Sequence, residues 1–229
     1  MKKRLFLFLP FLLFSVFVWG KNIDTIQYSN ENQIDIVPFL SNYIDRSDTL
    51  DIQHIINADF PFKNCGTHQV HIDFTHHPVW HKCIIKNVTN KPAYLNIEIE
   101  NPTIYSIRFF SVHNKKIISS IETGIKYPFY KRQVPINTFV FRLKLDTGQT
   151  TACYFIIKSN GDALNFPVRI ISNAQLFKKN ALNATILGII IGFIFALLMV
   201  AGFSLYLNFK EYTYIYFALY SIFGGLWLL

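Results

Sequence analysis

Between Lys179 and Lys210 lie thirty residues without a charge, and this stretch limits the chain's fold more than any other feature. A helix crossing the hydrocarbon core of a bilayer needs about 20 predominantly apolar residues. Ile186 to Leu207 meets that need with no proline. Burying so long an apolar helix inside a soluble domain would take more protein than 229 residues supply. The stretch is therefore expected to be a transmembrane helix over 182–209, tethering what precedes it.

Lys210 and Glu211 form a polar break, and a second uncharged run, Tyr212 to Leu229, follows it. Tyr212, Tyr214, Tyr216 and Tyr220 suit a lipid–water boundary. Residues 212–229 are expected to be a second transmembrane helix that the chain stops inside. The first helix also carries Gly188 and Gly192, a small-xxx-small step continued by Ala196. Such a step lets another helix approach closely, so homodimerisation through the membrane helices is one expectation.

The N-terminus sets the topology. Met1-Lys2-Lys3-Arg4 precedes an apolar run from Leu5 to Val18 and then Trp19-Gly20. A basic start, a short apolar centre and a small residue at its end describe a secretory signal peptide over 1–20, with cleavage between Gly20 and Lys21. Residues 21–178 are then exported, and the first helix runs inward. The formal charge of +8 falls to +5 without Lys2, Lys3 and Arg4. What remains is spread without a basic tract, which gives no case for nucleic acid.

In the exported part, residues 21–46 are polar and read as a weakly structured lead-in. Asp48 is expected to cap a short helix over Thr49 to Asn57, with Asp51 in its first turn. The apolar period then becomes two. Leu95, Ile97 and Ile99 alternate with Asn96, Glu98 and Glu100, and Phe139, Phe141, Leu143 and Leu145 with Val140, Arg142 and Lys144. Cys153, Phe155 and Ile157 repeat the pattern, as do Phe166, Val168 and Ile170. Alternation puts one set on a core face and the other towards solvent. With further candidates at 69–74, 79–86, 103–112 and 116–122, about eight short strands are expected. That spacing means a jelly-roll-like β-sandwich, so the fold class is mainly β, followed by transmembrane α-helices.

Chemistry-bearing motifs are few. Cys65 to Cys83 encloses His68, His71, His76, His77 and His81. Imidazoles and thiols are zinc and copper ligands, which makes His68, His76, His77 and His81 weak metal candidates, though their spacing matches no standard finger. His71, in an alternating strand, is expected to face solvent. A Cys65–Cys83 disulfide is chemically allowed outside the cytoplasm, and Cys153 reads as a buried core residue. The carboxylates are scattered, and no hydrolase, zinc-protease or phosphate-loop motif appears. No enzyme activity and no cofactor is expected.

Four stretches carry a family resemblance. The segment 42–60 opens Asn42-Tyr43-Ile44-Asp45 and closes on Asp59-Phe60, with a short helix between. The segment 79–87 holds Trp80 in a strand ending at Asn87. Residues 123–132 present Gly124, Pro128 and Arg132 in order. Leu187 to Gly192, through Leu205 to Tyr216, gives an apolar helix, a polar turn and a tyrosine-rich helix. In order and spacing these resemble the bacterial seven-transmembrane receptors with diverse intracellular signalling modules, specifically their second type of extracellular domain and the start of the seven-helix unit.

The resemblance implies a carbohydrate-binding-type sensor domain outside the bacterial inner membrane. It also implies further helices and a cytoplasmic output domain beyond this chain. Trp80, Arg108 and Arg132 become candidate ligand contacts, against the alternative of a core tryptophan and solvated arginines. Two other readings compete: a membrane-tethered binding or assembly module without signalling, and a metal-binding surface protein.

Overall fold

The computed structural model describes residues 25–66 and 68–228, so the expected signal peptide lies outside the described residues. Among the described residues thirteen strands form three sheets. In chain order they are β1 (Ile26–Tyr28), β2 (Gln33–Asp35), β3 (Ser41–Ile44), β4 (Lys63–Asn64), β5 (Val70–Ile72), β6 (Val79–Asn87) and β7 (Ala93–Ile99). Then come β8 (Ser106–His113), β9 (Lys116–Thr123), β10 (Phe139–Leu145), β11 (Thr150–Lys158), β12 (Leu164–Phe166) and β13 (Val168–Ile171). Three α-helices join them: α1 (Ile52–Asn57), α2 (Asn173–Phe209) and α3 (Tyr212–Leu228).

The larger sheet runs β4-β3-β6-β11-β8-β9, with β1 added in parallel along the second half of β6. The smaller runs β10-β7-β13-β2. They pack face to face, and the period-two residues of both fill the space between. Phe109 and Phe155 from the larger sheet meet Phe141 from the smaller at ring separations of 4.9 to 5.9 Å. Such aromatic pairs add to the area they bury. Pro167, which has no N–H to donate, divides the last alternating run. Leu164–Phe166 pairs with β5, while Val168–Ile171 joins the smaller sheet.

Two expectations change. The lead-in is structured from Thr25 on, because Ile26, Tyr28, Ile36, Val37 and Leu40 are all buried in the main core. The strands of this segment, β1 to β3, are only three or four residues long and too short to show periodicity. The helix cap also moves. Asp51, not Asp48, accepts from the His54 N–H at 2.9 Å and starts α1 at Ile52. Asp48 sits instead in the left-handed region at φ 55°, inside a turn.

The membrane-type helix starts earlier than 182. Ser172 caps it through the Gln175 N–H, and it continues unbroken for 37 residues to a left-handed Lys210. Among the described residues α2 alone is long and apolar enough to cross a membrane, with a mean hydropathy of 2.8 over its best window. The α3 helix packs back against it. Gly202 makes this possible, since a Cβ there would lie 3.1 Å from the Phe217 ring and the Tyr214 carbonyl oxygen.

Candidate functional site

The outer face of the larger sheet, turned away from the smaller one, carries a second set of side chains. One row is fixed by register: Tyr43 opposite Trp80, Trp80 opposite Ile156, Ile156 opposite Arg108, and Arg108 opposite Glu122. Arg108 donates to Glu122 Oε1 at 3.2 Å. The Tyr127 hydroxyl, then Arg108, hold the Glu122 carboxyl below its usual range. Tyr127 itself is raised, chiefly because its hydroxyl donates to Glu122.

A lid crosses this row. Residues 45–51 turn over it, and α1 lays Ile52 and Ile55 against Trp80, Phe110, Val112 and Tyr154 as a second, smaller core. Asp45 makes the turn. Its Oδ1 accepts from the Ser47 N–H at 3.0 Å and hydroxyl at 2.6 Å, and its Oδ2 from the Leu50 N–H at 3.0 Å. Burial pushes this carboxyl up, but those hydrogen bonds outweigh it and its pKa is lowered. Its ionised form therefore stabilises the fold above the ordinary carboxylate range, and that stability is lost as pH falls through the folded value. Hydrogen bonds to a charged group contribute about 1.5–3 kcal/mol. Asp45→Asn should therefore lower stability by about 2 kcal/mol at neutral pH, with the deficit shrinking as pH falls through and below the ordinary carboxylate range. Thermal unfolding of the full chain in detergent across that range checks it. A deficit independent of pH would contradict the assignment.

Between lid and sheet lies a cavity of about 230 Å³ bordered by Asp45, Asp48, Trp80, Arg108, Glu122 and Lys126. It continues past the Arg108–Glu122 pair into a shallower space of about 490 Å³ under Leu50 and Ile52. Trp80 is wholly buried, and its indole N–H, which can only donate, has no partner within the protein. The groove thus sets paired charges beside a wall that includes the buried Trp80.

Of the three predicted contacts, Trp80 and Arg108 come together here. Arg132 does not line the groove. Its guanidinium donates to the Ile136 carbonyl at 2.5 Å and lies over Phe129 and Phe139 at 4.8 and 4.5 Å, which fastens the loop between β9 and β10. Glu122, Lys126 and Asp45 are additions. The Asp-x-Ser turn at 45–47 was a readable signal for the last. Glu122 was hidden by a register shift between Ser111 and Val112, which breaks simple counting from the Asn114-Lys115 turn.

The imidazoles do not gather. His68 and His76 are exposed, His71 faces solvent beside Asp73, and His77 stands 3.7 Å from Asp48. His81 points into the main core, and burial lowers its pKa to about 3. Its Nδ1 lies 3.6 Å from Cys65 Sγ, a thiol pushed up to about 12 by burial. Among the described residues no three His, Cys, Asp or Glu side chains converge as a metal site. Cys65, Cys83 and Cys153 are free thiols, and Cys153 is buried as read.

On the opposite side, the first two turns of α2 cover the outer face of the smaller sheet. Leu176 joins Val134, Val140 and Ile171. Asn96 donates to Asn173 Oδ1 at 2.8 Å. Lys179 donates to both Glu98 oxygens, at 2.9 and 3.0 Å, and to Glu100, which Arg169 also holds at 2.6 Å. Thr138 completes the Glu98 shell at 2.8 Å. Helix and sandwich are thus joined by a mostly buried ionic clasp. Gly188 and Gly192 face open space. Packing within this chain uses Gly202 instead.

These features define a β-sandwich domain built directly onto a membrane-type helix, with a lidded groove on its outer face. The family model of the 7TMR-DISM extracellular 2 domain matches residues 38–172, and the chain belongs to that family. The family is one of receptor sensor domains and is not an enzyme class. No curated protein matches. Similar solved structures include the pre-peptidase C-terminal domain of a collagenase from Bacillus anthracis. It is 9% identical, with 45% of this chain and 85% of that one covered and a TM-score of 0.25. A family GH115 4-O-methyl-α-glucuronidase with specificity for decorated arabinogalactans is 14% identical. There 46% of this chain and 14% of that one are covered, with a TM-score of 0.26.

Proposed function

We propose that the sandwich is the ligand-sensing part of a bacterial inner-membrane signalling receptor, exported to the outer side, and that its ligand is a carbohydrate or cell-wall fragment. The supporting observation is the groove, where Trp80 and the Arg108–Glu122 pair lie under a lid made from the family's opening motif. Ligand would favour one arrangement of lid and sheet, and α2 would carry that preference inward as a population shift. The open Gly188–Gly192 face is where a further helix, or the same helix of a second copy, would pack.

The test uses the full chain in detergent, screened against sugars and cell-wall fragments by thermal shift. At a hundred times its dissociation constant a ligand stabilises by about 2.7 kcal/mol. Arg108→Ala removes a half-exposed ion pair, so it should change stability by less than about 1 kcal/mol while abolishing the ligand shift. A panel without any shift, or a shift that survives Arg108→Ala, overturns this reading.

A further inference from the structure

The register shows which end of the sandwich faces the membrane. Ile99, Phe139 and Val168 share one end of the smaller sheet. Asn87 at the far end of β6 donates to the Leu145 and Asp146 carbonyls. The opposite ends of both sheets, at Ile99 and at Val79, therefore lie together. Along α2, Asn173 touches Asn96, while Lys179 touches Glu98 and Glu100. The helix thus leaves the sandwich at the Ile99–Val79 end.

The loop between β9 and β10 hangs from that same end. Its segment Ile125-Lys126-Tyr127-Pro128-Phe129-Tyr130-Lys131-Arg132 has no acid and three cations. Ile125, Phe129 and Tyr130 are 55%, 50% and 80% exposed. Lys126 and Lys131 stand 5.8 and 5.3 Å from the Tyr127 ring. Gly124 pins the loop's root, at φ +136°, where a Cβ would run into the Tyr105 carbonyl oxygen. A rigid, exposed cluster of aromatics interleaved with lysines is poorly explained as a solvated turn. It has the chemistry of a lipid–water boundary, amphipathic rings at headgroup depth with cations beside them.

The spacing agrees. Lys179, at the rim of the sandwich, is seven residues above Ile186, where the apolar core begins. That is about 10 Å of helix, and a headgroup layer fills about 5–8 Å of it. We infer that residues 125–131 are a second membrane contact, seating the sensor domain on the anionic headgroups of the leaflet that α2 enters. The inference rests on reading α2 as a membrane span. Lys126 also borders the ligand groove, so this contact and the ligand site share a loop.

The experiment places an environment-sensitive fluorophore on Tyr130→Cys in the full chain, with the unsubstituted chain labelled as the blank. Acrylamide quenching is compared in phosphatidylcholine and phosphatidylglycerol nanodiscs. Two lysines near an anionic surface should raise the seated-to-free ratio about thirty-fold in phosphatidylglycerol at low salt. Lys126→Glu/Lys131→Glu should cancel that rise. Equal quenching in both lipids, with a label on Leu197→Cys shielded in both, overturns this inference alone. A Leu197→Cys label quenched as freely in discs as in buffer overturns the membrane reading beneath it as well.

Discussion

Replacing Lys179 with methionine should lower the stability of the full chain by about 3 kcal/mol and free the first two turns of α2 from the sandwich. The reason is Glu98. Its side chain is 1% exposed, and Lys179 is the cation that faces both of its oxygens. Removing one partner of a buried pair leaves the other charge uncompensated, at a cost of about 3–5 kcal/mol. The lower figure applies because Lys179 itself is about a third exposed. The double variant Lys179→Met/Glu98→Gln should recover most of the loss, since an amide tolerates the site without a counter-ion. Thermal unfolding gives the stability, and hydrogen exchange over 173–179 reports the helix start. A single variant as stable and as protected as the parent would show that the clasp contributes nothing.

Trp80→Ala should be comparably damaging, at about 3–5 kcal/mol. The indole is wholly buried and holds α1 to the sheet together with Phe110 and Tyr154. More informative is Trp80→Phe. It keeps most of the buried apolar surface and deletes an N–H that has no protein partner. A buried donor without a partner costs about 1–3 kcal/mol, so its removal should leave stability nearly unchanged or raise it. Ligand affinity should nevertheless fall if that N–H is held for the ligand. Thermal shift with and without a bound sugar separates the effects. Unchanged affinity in Trp80→Phe would remove Trp80 from the site and leave it as core.

The same contrast runs through what was legible in the sequence. Alternation located the strands that build the main core, because Leu95, Ile97, Ile99 and Phe139 to Leu145 each bury every second side chain. It misplaced their partners. Asn96 and Glu98 occupy the outward phase, yet both are buried, because α2 begins at Asn173, thirteen residues before its apolar core at Ile186, and lies over them. Periodicity within a strand reports one face and says nothing about what covers the other. The groove was half legible. Trp80 and Arg108 were within reach of motif reading, but Glu122 depended on a bulge and the lid on the hydrogen bonds of a buried aspartate. Arg132 belongs to the right motif, yet its charge is spent on the Ile136 carbonyl and two rings.

The uninterrupted run of α2 has a mechanical consequence. No linker separates domain from membrane segment, so the helix is a stiff lever of about 55 Å whose short arm is clamped by Leu176 and Lys179. Tilting the sandwich by only about 5° about that clamp would sweep the Phe209 end, about 45 Å away, through about 4 Å. If α2 spans the bilayer as proposed, a small tilt of the sandwich becomes a larger displacement at the helix's far end.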